Sequence, residues 1–141
     1  MQDSERDGFI VWKDEYSVQF RVIDEQHQGL VNMTNDLLKG CKAGGNSQDV
    51  AFMKTVRKAV EYAQVHFYTE EKYMKQAAYP ELEQHKKEHA AFVSKVQETV
   101  AAFEQGRADP LDLAIFLKEW LLSHIAVSDK KYAPYLAALP Q

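Results

Sequence analysis

Cysteine is nearly missing from this chain. Cys41 is the only one among 141 residues, so no internal disulfide can form, and its place beside Gly40 at an expected helix end marks it as incidental rather than as a redox centre. No window approaches the roughly 18 consecutive apolar residues of a membrane-spanning helix. The start, MQDSERDGF, is polar and acidic, where a secretion signal needs a basic opening and an apolar run. A soluble, cytoplasmic protein is therefore expected. Long basic stretches are absent too. Lysine and arginine number 17 against 21 aspartates and glutamates, for a net charge of -4, and they cluster only as short pairs such as Lys86-Lys87 and Lys130-Lys131. No stripe exists to follow a phosphate backbone, which excludes nucleic acid as a partner. Glycine and proline are scarce, six and four, and the expected helix interiors hold almost none.

What is present fits one helical domain. With 45% apolar and 27% charged residues, the chain can bury a core large enough to fold alone. Helical periodicity appears four times. A helix over 17 to 40 carries Phe20, Ile23, Leu30, Val31, Thr34, Leu37 and Leu38 on one stripe and stops at GCKAGGNS, where Asn46 or Ser47 suits the next N-cap. A second, over 48 to 76, carries Phe52, Val56, Ala59, Val60, Ala63, Phe67 and Met74. Pro80 fits the first turn of a third, whose stripe runs from Leu82 to Phe103 before Gly106. Asp109-Pro110 starts a fourth, about 110 to 131, with Leu113, Phe116, Leu117, Trp120 and Leu121 inward and Pro134 at or near its end. Short connections make neighbours antiparallel, so the expected fold is all-α, an up-down-up-down four-helix bundle over 17–133. Residues 1–16, with Trp12 and Tyr16, read as an N-terminal arm packed on it, and 134–141 as a C-terminal tail.

Each stripe is interrupted by groups that resist burial. His27 falls between Ile23 and Leu30, His66 and Glu70 between Ala63 and Met74, His85 and His89 between Leu82 and Phe92, and His124 one turn after Trp120 and Leu121. These are all five histidines of the chain. Asp129 lies five residues past His124, about 500° around an ideal helix and so roughly 140° off its line. It reaches the same place only from a flank or a distorted helix end. A buried, unpaired carboxylate costs several kcal/mol or gives up its charge, so two of them need a positive partner. No lysine or arginine lies on these stripes.

Metal supplies that charge. Imidazoles with carboxylates suit first-row transition metals, and seven protein ligands suit two ions sharing bridging carboxylates better than one. The levels agree with convergence: by helical rise, Glu70 and His85 lie about 10 and 8 Å from the loop that joins their helices, and His66 and His89 about 16 and 14 Å. His27 fits less well, falling about 9 Å short of His66, a difference the longer first loop can absorb. Singly, each residue has a bland reading: an i,i+4 polar pair for His66 and Glu70, exposed positions on a lysine-rich helix for His85 and His89, solvated surface for Asp129 beside Lys130. Seven such coincidences on four interior stripes do not occur together by chance.

The set IDEQHQGL, HFYTEEKYM, YPELEQHKKEH and WLLSHIAVSD, preceded by VWKDEYSV, closely resembles the hemerythrins, in particular the single-domain bacterial hemerythrins, over roughly residues 10 to 133. The resemblance implies a diiron centre in which His85, His89 and His124 hold one iron, His27 and His66 the other, and Glu70 and Asp129 bridge the two, with an oxo or hydroxo bridge completing the pair. One iron then has six ligands and the other five, leaving a vacant position for dioxygen. The implied function is reversible dioxygen binding for transport, storage, delivery or sensing, with the oxygen held as hydroperoxide on the five-coordinate iron, by a protein that is not an enzyme beyond slow side reactions. A diiron enzyme that reduces peroxide or nitric oxide, or oxidises iron, stays open as the alternative. Ferritin-like diiron oxygenases use four carboxylates with Glu-x-x-His motifs, whereas five neutral imidazoles favour the ferrous state and release. The resemblance also points to Leu30, Phe67, Trp120, Leu121 and Leu122 as the ligand pocket, though aromatics and leucines at helical spacing also serve as plain core. Tyr73, Tyr79 and Tyr132 are polar neighbours that sequence does not place. Delivery of oxygen implies a weak contact with an oxygen-consuming enzyme.

Overall fold

A computed structural model describes residues 9–42, 50–107 and 109–140. Residues 1–8 of the expected arm, the N-cap residues Asn46 and Ser47, the side chain of Phe52 and the terminal Gln141 lie outside the described residues. Four long helices dominate: α1 Arg21–Lys42, α2 Val50–Gln76, α3 Leu82–Glu104 and α4 Pro110–Ser123. A short α5, Asp129–Leu136, follows α4 after a single wide turn, His124–Ser128. Around the bundle α1 packs on α2 and α4, and α3 on α2 and α4, the neighbour relations of an antiparallel up-down-up-down bundle.

The helix ends follow local chemistry. α1 begins at Arg21 rather than at 17, because Ser17 Oγ and the Val18 amide both donate to the Asp24 carboxylate and keep the preceding chain out of the helix, with Ser17 extended and Gln19 left-handed at φ 59°. Pro80 and Glu81 form a turn, and α3 begins at Leu82. Asp109 caps α4 as expected, accepting from the Leu111 amide while Asp112 accepts from the Asp109 amide, with Pro110 in the first turn. Pro134 does not end the last helix, which runs on through it to Leu136. Its missing N–H costs one helical hydrogen bond, and the fully buried Tyr132 and Leu136 on either side hold the final turn against the core.

Two helices end in the same motif with different residues. At the end of α3, Arg107 donates to Ala102 O and Gly106 to Phe103 O, with Gly106 at φ 75°. At the end of α2, Tyr79 donates to Met74 O and Ala78 to Lys75 O, but the left-handed position, φ 54°, falls to Ala78. A Cβ is unfavourable there. Ala78→Gly is therefore expected to stabilise the fold by about 0.5–1 kcal/mol, after allowing for the greater freedom of an unfolded glycine. A thermal melt should rise by roughly 2–4 °C, and an unchanged or lower midpoint would contradict this account.

The apolar interior forms two clusters. The larger contains Leu30, Val56, Phe67, Phe92, Phe103 and Leu117, and the smaller contains Phe20, Ile23, Met74, Tyr79, Tyr132 and Leu136. Of the expected arm, residues 9–16 are described. Ile10 is buried and tied to α1 through both backbone groups, its N–H donating to Asn35 Oδ1 and Asn35 Nδ2 donating to its carbonyl, each at 2.8 Å. Trp12 and Tyr16 meet edge to face and pack against the larger cluster.

Candidate metal centre

His27, His66, Glu70, His85, His89, His124 and Asp129 are all buried, Glu70 and Asp129 completely. Spacing of four residues puts His66 over Glu70 on α2 and His85 over His89 on α3, each pair facing inward. Asp129 needs a different device. Residues His124–Ser128 form one turn of π-helix, in which the Asp129 N–H donates to His124 O, five residues back. The wider turn absorbs the extra residue, so Asp129 returns to the side of His124 instead of pointing roughly 140° away.

The seven side chains converge. Asp129 Oδ1 is 3.1 Å from His85 Nε2 and 2.9 Å from His124 Nε2, while its Oδ2 is 2.9 Å from His27 Nε2. Glu70 Oε1 is 3.3 Å from His66 Nε2 and 3.1 Å from His89 Nε2, and its Oε2 is 3.5 Å from His27 Nε2. Both carboxylates thus face histidines of both groups. Two overlapping quartets, Glu70 with His85, His89 and His124, and Glu70 and Asp129 with His27 and His66, each bring their ligand atoms within 4.8 Å of one another. Despite these short separations, seven buried atoms make no well-directed hydrogen bond: both ring nitrogens of His27, Nε2 of His66 and His85, Oε1 of Glu70 and both oxygens of Asp129. Folded proteins leave few such groups unmatched, and each costs about 1–3 kcal/mol. Divalent cations among these lone pairs satisfy all of them but His27 Nδ1, whose ring ligates through Nε2, so the residues fit a metal pair.

A second set of residues orients the first. Gln26 Oε1 accepts from His66 Nδ1 at 2.7 Å, and Glu71 Oε2 from His89 Nδ1 at 2.8 Å. Glu88 Oε1 lies 3.5 Å from His124 Nδ1 and accepts from Ser128 Oγ at 2.7 Å. Each assignment puts the proton on Nδ1 and leaves Nε2 free to ligate. A rule connects them: Gln26 reaches from α1 to a ring on α2, Glu71 from α2 to α3, and Glu88 from α3 to the wide turn that follows α4. Each is the chain neighbour of a centre residue on its own helix. Of the three tyrosines noted from sequence, Tyr132 reaches the site, donating from Oη to Glu70 Oε2. Sequence reasoning missed Gln26, Glu71 and Glu88, whose only signal is adjacency to His27, Glu70 and His89.

Burial is the largest single influence on His27, His66 and His124 and disfavours charge on each. Around His27 the hydrogen bonds and charges of Asp129 and Glu70 together outweigh it, pushing the ring from 6.5 to about 9. The same carboxylates push His124 to about 10. At His66 burial prevails and lowers the ring to about 4. Burial also opposes ionised Glu70 and Asp129, yet the imidazoles around them hold both below the ordinary carboxylate range. Without metal, the fold holds extra protons on His27 and His124 as pH climbs from 6.5 toward 9, so stability falls in that direction. From 6.5 down toward 4 the unfolded chain holds the extra proton at His66, so stability falls in that direction too, with Glu70 and Asp129 adding to the loss further down. The metal-free chain is expected to melt highest near pH 6.5. A melting temperature that stays flat between 4 and 9 would contradict these proton positions.

Beside the cluster lies a small apolar cavity of about 30 Å³, lined among others by Leu30, Met33, Phe67, Leu117, Trp120 and Leu121. Phe67 stacks on His89, ring centroids 3.9 Å apart, and Trp120 on His124 at 4.3 Å. Four of the five expected pocket residues therefore meet there. Leu122 does not line it. One residue on from Leu121, it is turned about 100° around the helix and borders a surface cleft with Phe9, Ile10, Val11, Tyr16 and Lys118.

Residues 18–136 match a family model described as the hemerythrin HHE cation binding domain. Bacteriohemerythrin of Stenotrophomonas maltophilia is 33% identical over 131 residues, which is 93% of this chain and 84% of that protein. Myohemerythrin of Theromyzon tessulatum is 32% identical over 121 residues, 86% of this chain and 88% of that one. The crystal structure of a wild-type hemerythrin superposes with a TM-score of 0.81 at 30% identity, covering 92% of this chain and 98% of the other.

Proposed function

The chain belongs to the hemerythrin family, and on that premise we propose that His85, His89 and His124 would hold one iron of its diiron centre and His27 and His66 the other, with Glu70 and Asp129 contributing to both. The protein binds dioxygen at that centre. When bound, the irons supply a vacant coordination position and the two electrons that reversible capture of dioxygen requires. The observation that carries the reading is the set of unmatched, buried donor atoms beside an apolar cavity.

The chain's own residues supply orientation and dryness. Gln26, Glu71 and Glu88 hold three rings with Nε2 inward. Tyr132 keeps its phenol proton on the Glu70 side, where it fixes the outward lone pairs of that carboxylate. Leu30, Phe67 and Leu121 line the cavity with carbon, and Thr34, the hydroxyl on its wall, already donates to Leu30 O at 2.9 Å, so little is left there to hold a water. At about 30 Å³ it suits a diatomic and leaves no room for an organic substrate. Transport, storage, local delivery and sensing are all served by this chemistry, and delivery would involve a weak contact with an oxygen-consuming enzyme. Among the described residues no helix is long and apolar enough to cross a membrane, which accords with a cytoplasmic role.

An anaerobic ferrous sample exposed to air and then degassed tests the reading by visible absorption. Bands that appear in air and vanish on degassing, over repeated cycles, are expected. Irreversible oxidation in the first cycle, or multiple turnovers of peroxide or nitric oxide without loss of iron, would favour an enzyme instead.

A further inference from the structure

Three phenol rings lead from the candidate centre to water. Tyr132 is fully buried and donates to Glu70. Its ring meets Tyr79 edge-on, centroids 6.3 Å apart, and Tyr79 meets Tyr135 at 5.1 Å. Tyr79 is buried, whereas Tyr135 is 41% exposed. Edge-to-face contact alone does not require tyrosine, since phenylalanine fills nearly the same space without a hydroxyl to satisfy. On the other side of the centre the rings run from His124 through Trp120 to Phe92 and Phe116. There the line passes into phenylalanines, which resist one-electron oxidation. Phenols yield an electron readily once the proton has somewhere to go, and the line of tyrosines consists of nothing else.

We infer that Tyr132, Tyr79 and Tyr135 form a path along which electrons move inward and oxidising equivalents leave for the surface when the iron-loaded protein, already in its diferric form, meets hydrogen peroxide. This rests on the diiron reading above. For the first equivalent, Tyr132 gives up an electron while its proton shifts along the existing hydrogen bond to Glu70. Tyr79 then restores Tyr132, and Tyr135 restores Tyr79. The net loss is one electron and one proton from Tyr135, the proton passing to bulk water. In sum, one hydrogen peroxide takes two electrons and two protons, its O–O bond breaks and two waters form; one electron and one proton come from Tyr79 and one of each from Tyr135, whose phenol ends as an exposed phenoxyl radical. Two such radicals from separate molecules couple through a carbon–carbon bond to a dityrosine. An exposed terminal ring lets external reductants quench the hole harmlessly, sparing the imidazoles of the centre.

The test takes iron-loaded protein, oxidised to the diferric form after its oxygen absorption has been recorded, and treats it with equimolar hydrogen peroxide, freezing samples for electron paramagnetic resonance and analysing others for dityrosine fluorescence and covalent dimers by mass spectrometry. Wild type should show a tyrosyl signal and dimers linked at Tyr135. Tyr135→Phe should remove the dimers, and Tyr79→Phe should lower them at least about tenfold while a tyrosyl signal persists at Tyr132. Equal dimer yields in Tyr79→Phe and wild type, oxidation confined to Trp120, or the same dimers from iron-free chain would each overturn the path. Iron content and reversible oxygen absorption, measured on the same preparations, separate failure of the path from failure of the diiron reading. If both are normal and no tyrosyl signal forms, only the path is wrong.

Discussion

Replacing His85 and His89 together by alanine is expected to remove most of the iron, from about two ions per chain to well under one, and to weaken the fold. The two rings stand over each other on α3, and between them they approach both carboxylates, His85 Nε2 lying 3.1 Å from Asp129 and His89 Nε2 3.1 Å from Glu70. Without them and without metal, Glu70 and Asp129 stay fully buried, and each loses an imidazole that faces one of its oxygens. Breaking a buried charge arrangement by removing one side typically costs about 3–5 kcal/mol, enough to threaten a domain whose whole stability is about 5–15 kcal/mol. Iron analysis and a thermal melt of the purified variant check this. Full iron loading in the double variant would sink the ligand assignment. Glu71→Gln gives a graded control: it keeps an acceptor for His89 Nδ1 but loses the charge, and should weaken iron binding by only about tenfold.

The second large effect concerns the lifetime of the oxygenated protein. Leu121 lines the apolar cavity and Leu122 borders the outer cleft, so the two neighbours should respond differently to the same change. Leu121→Gln puts an amide where a water can then be held, and conversion to the diferric form should accelerate about tenfold or more, equivalent to roughly 1.4 kcal/mol or more off the barrier. Leu122→Gln should leave the rate within about twofold, because its side chain points toward Phe9 and Tyr16. Decay of the oxygenated absorption at equal iron loading measures both. Equal acceleration in the two variants would show that the cavity does not protect the centre.

These variants also show where sequence ran out. His27, His66, His85, His89 and His124 were legible because a 3.6-residue period assigns each to a buried stripe, and a buried imidazole without a carboxylate or metal partner is costly. Asp129 was legible as a residue but not as a position. An ideal helix turns it away, and the wide turn that brings it back leaves no mark in composition. Leu121 and Leu122 differ only in what covers them, and the segment from Phe9 to Tyr16 that covers Leu122 is remote in the chain. Gln26, Glu71 and Glu88 look like any polar residue on the flank of a helix. Their role depends on the neighbouring helix standing at the right height, which periodicity within one helix does not encode. Pro134 was expected near a helix end, yet the buried Tyr132 and Leu136 keep that helix going past it.

The wide turn at His124–Ser128 makes the spacing of this ligand pair an all-or-nothing character. A substitution moves a side chain by fractions of an ångström, and a series of substitutions can tune a site by degrees. Removing one residue between His124 and Asp129 is a change of another kind. The turn would close to an ordinary α-helical one, and every residue after it would keep its place in the winding while losing one step of reach. No intermediate exists between a spacing of four and a spacing of five. Lineages of this fold therefore cannot drift between the two spacings by accumulated substitution. They can only cross by an insertion or deletion of a single codon, made in one event.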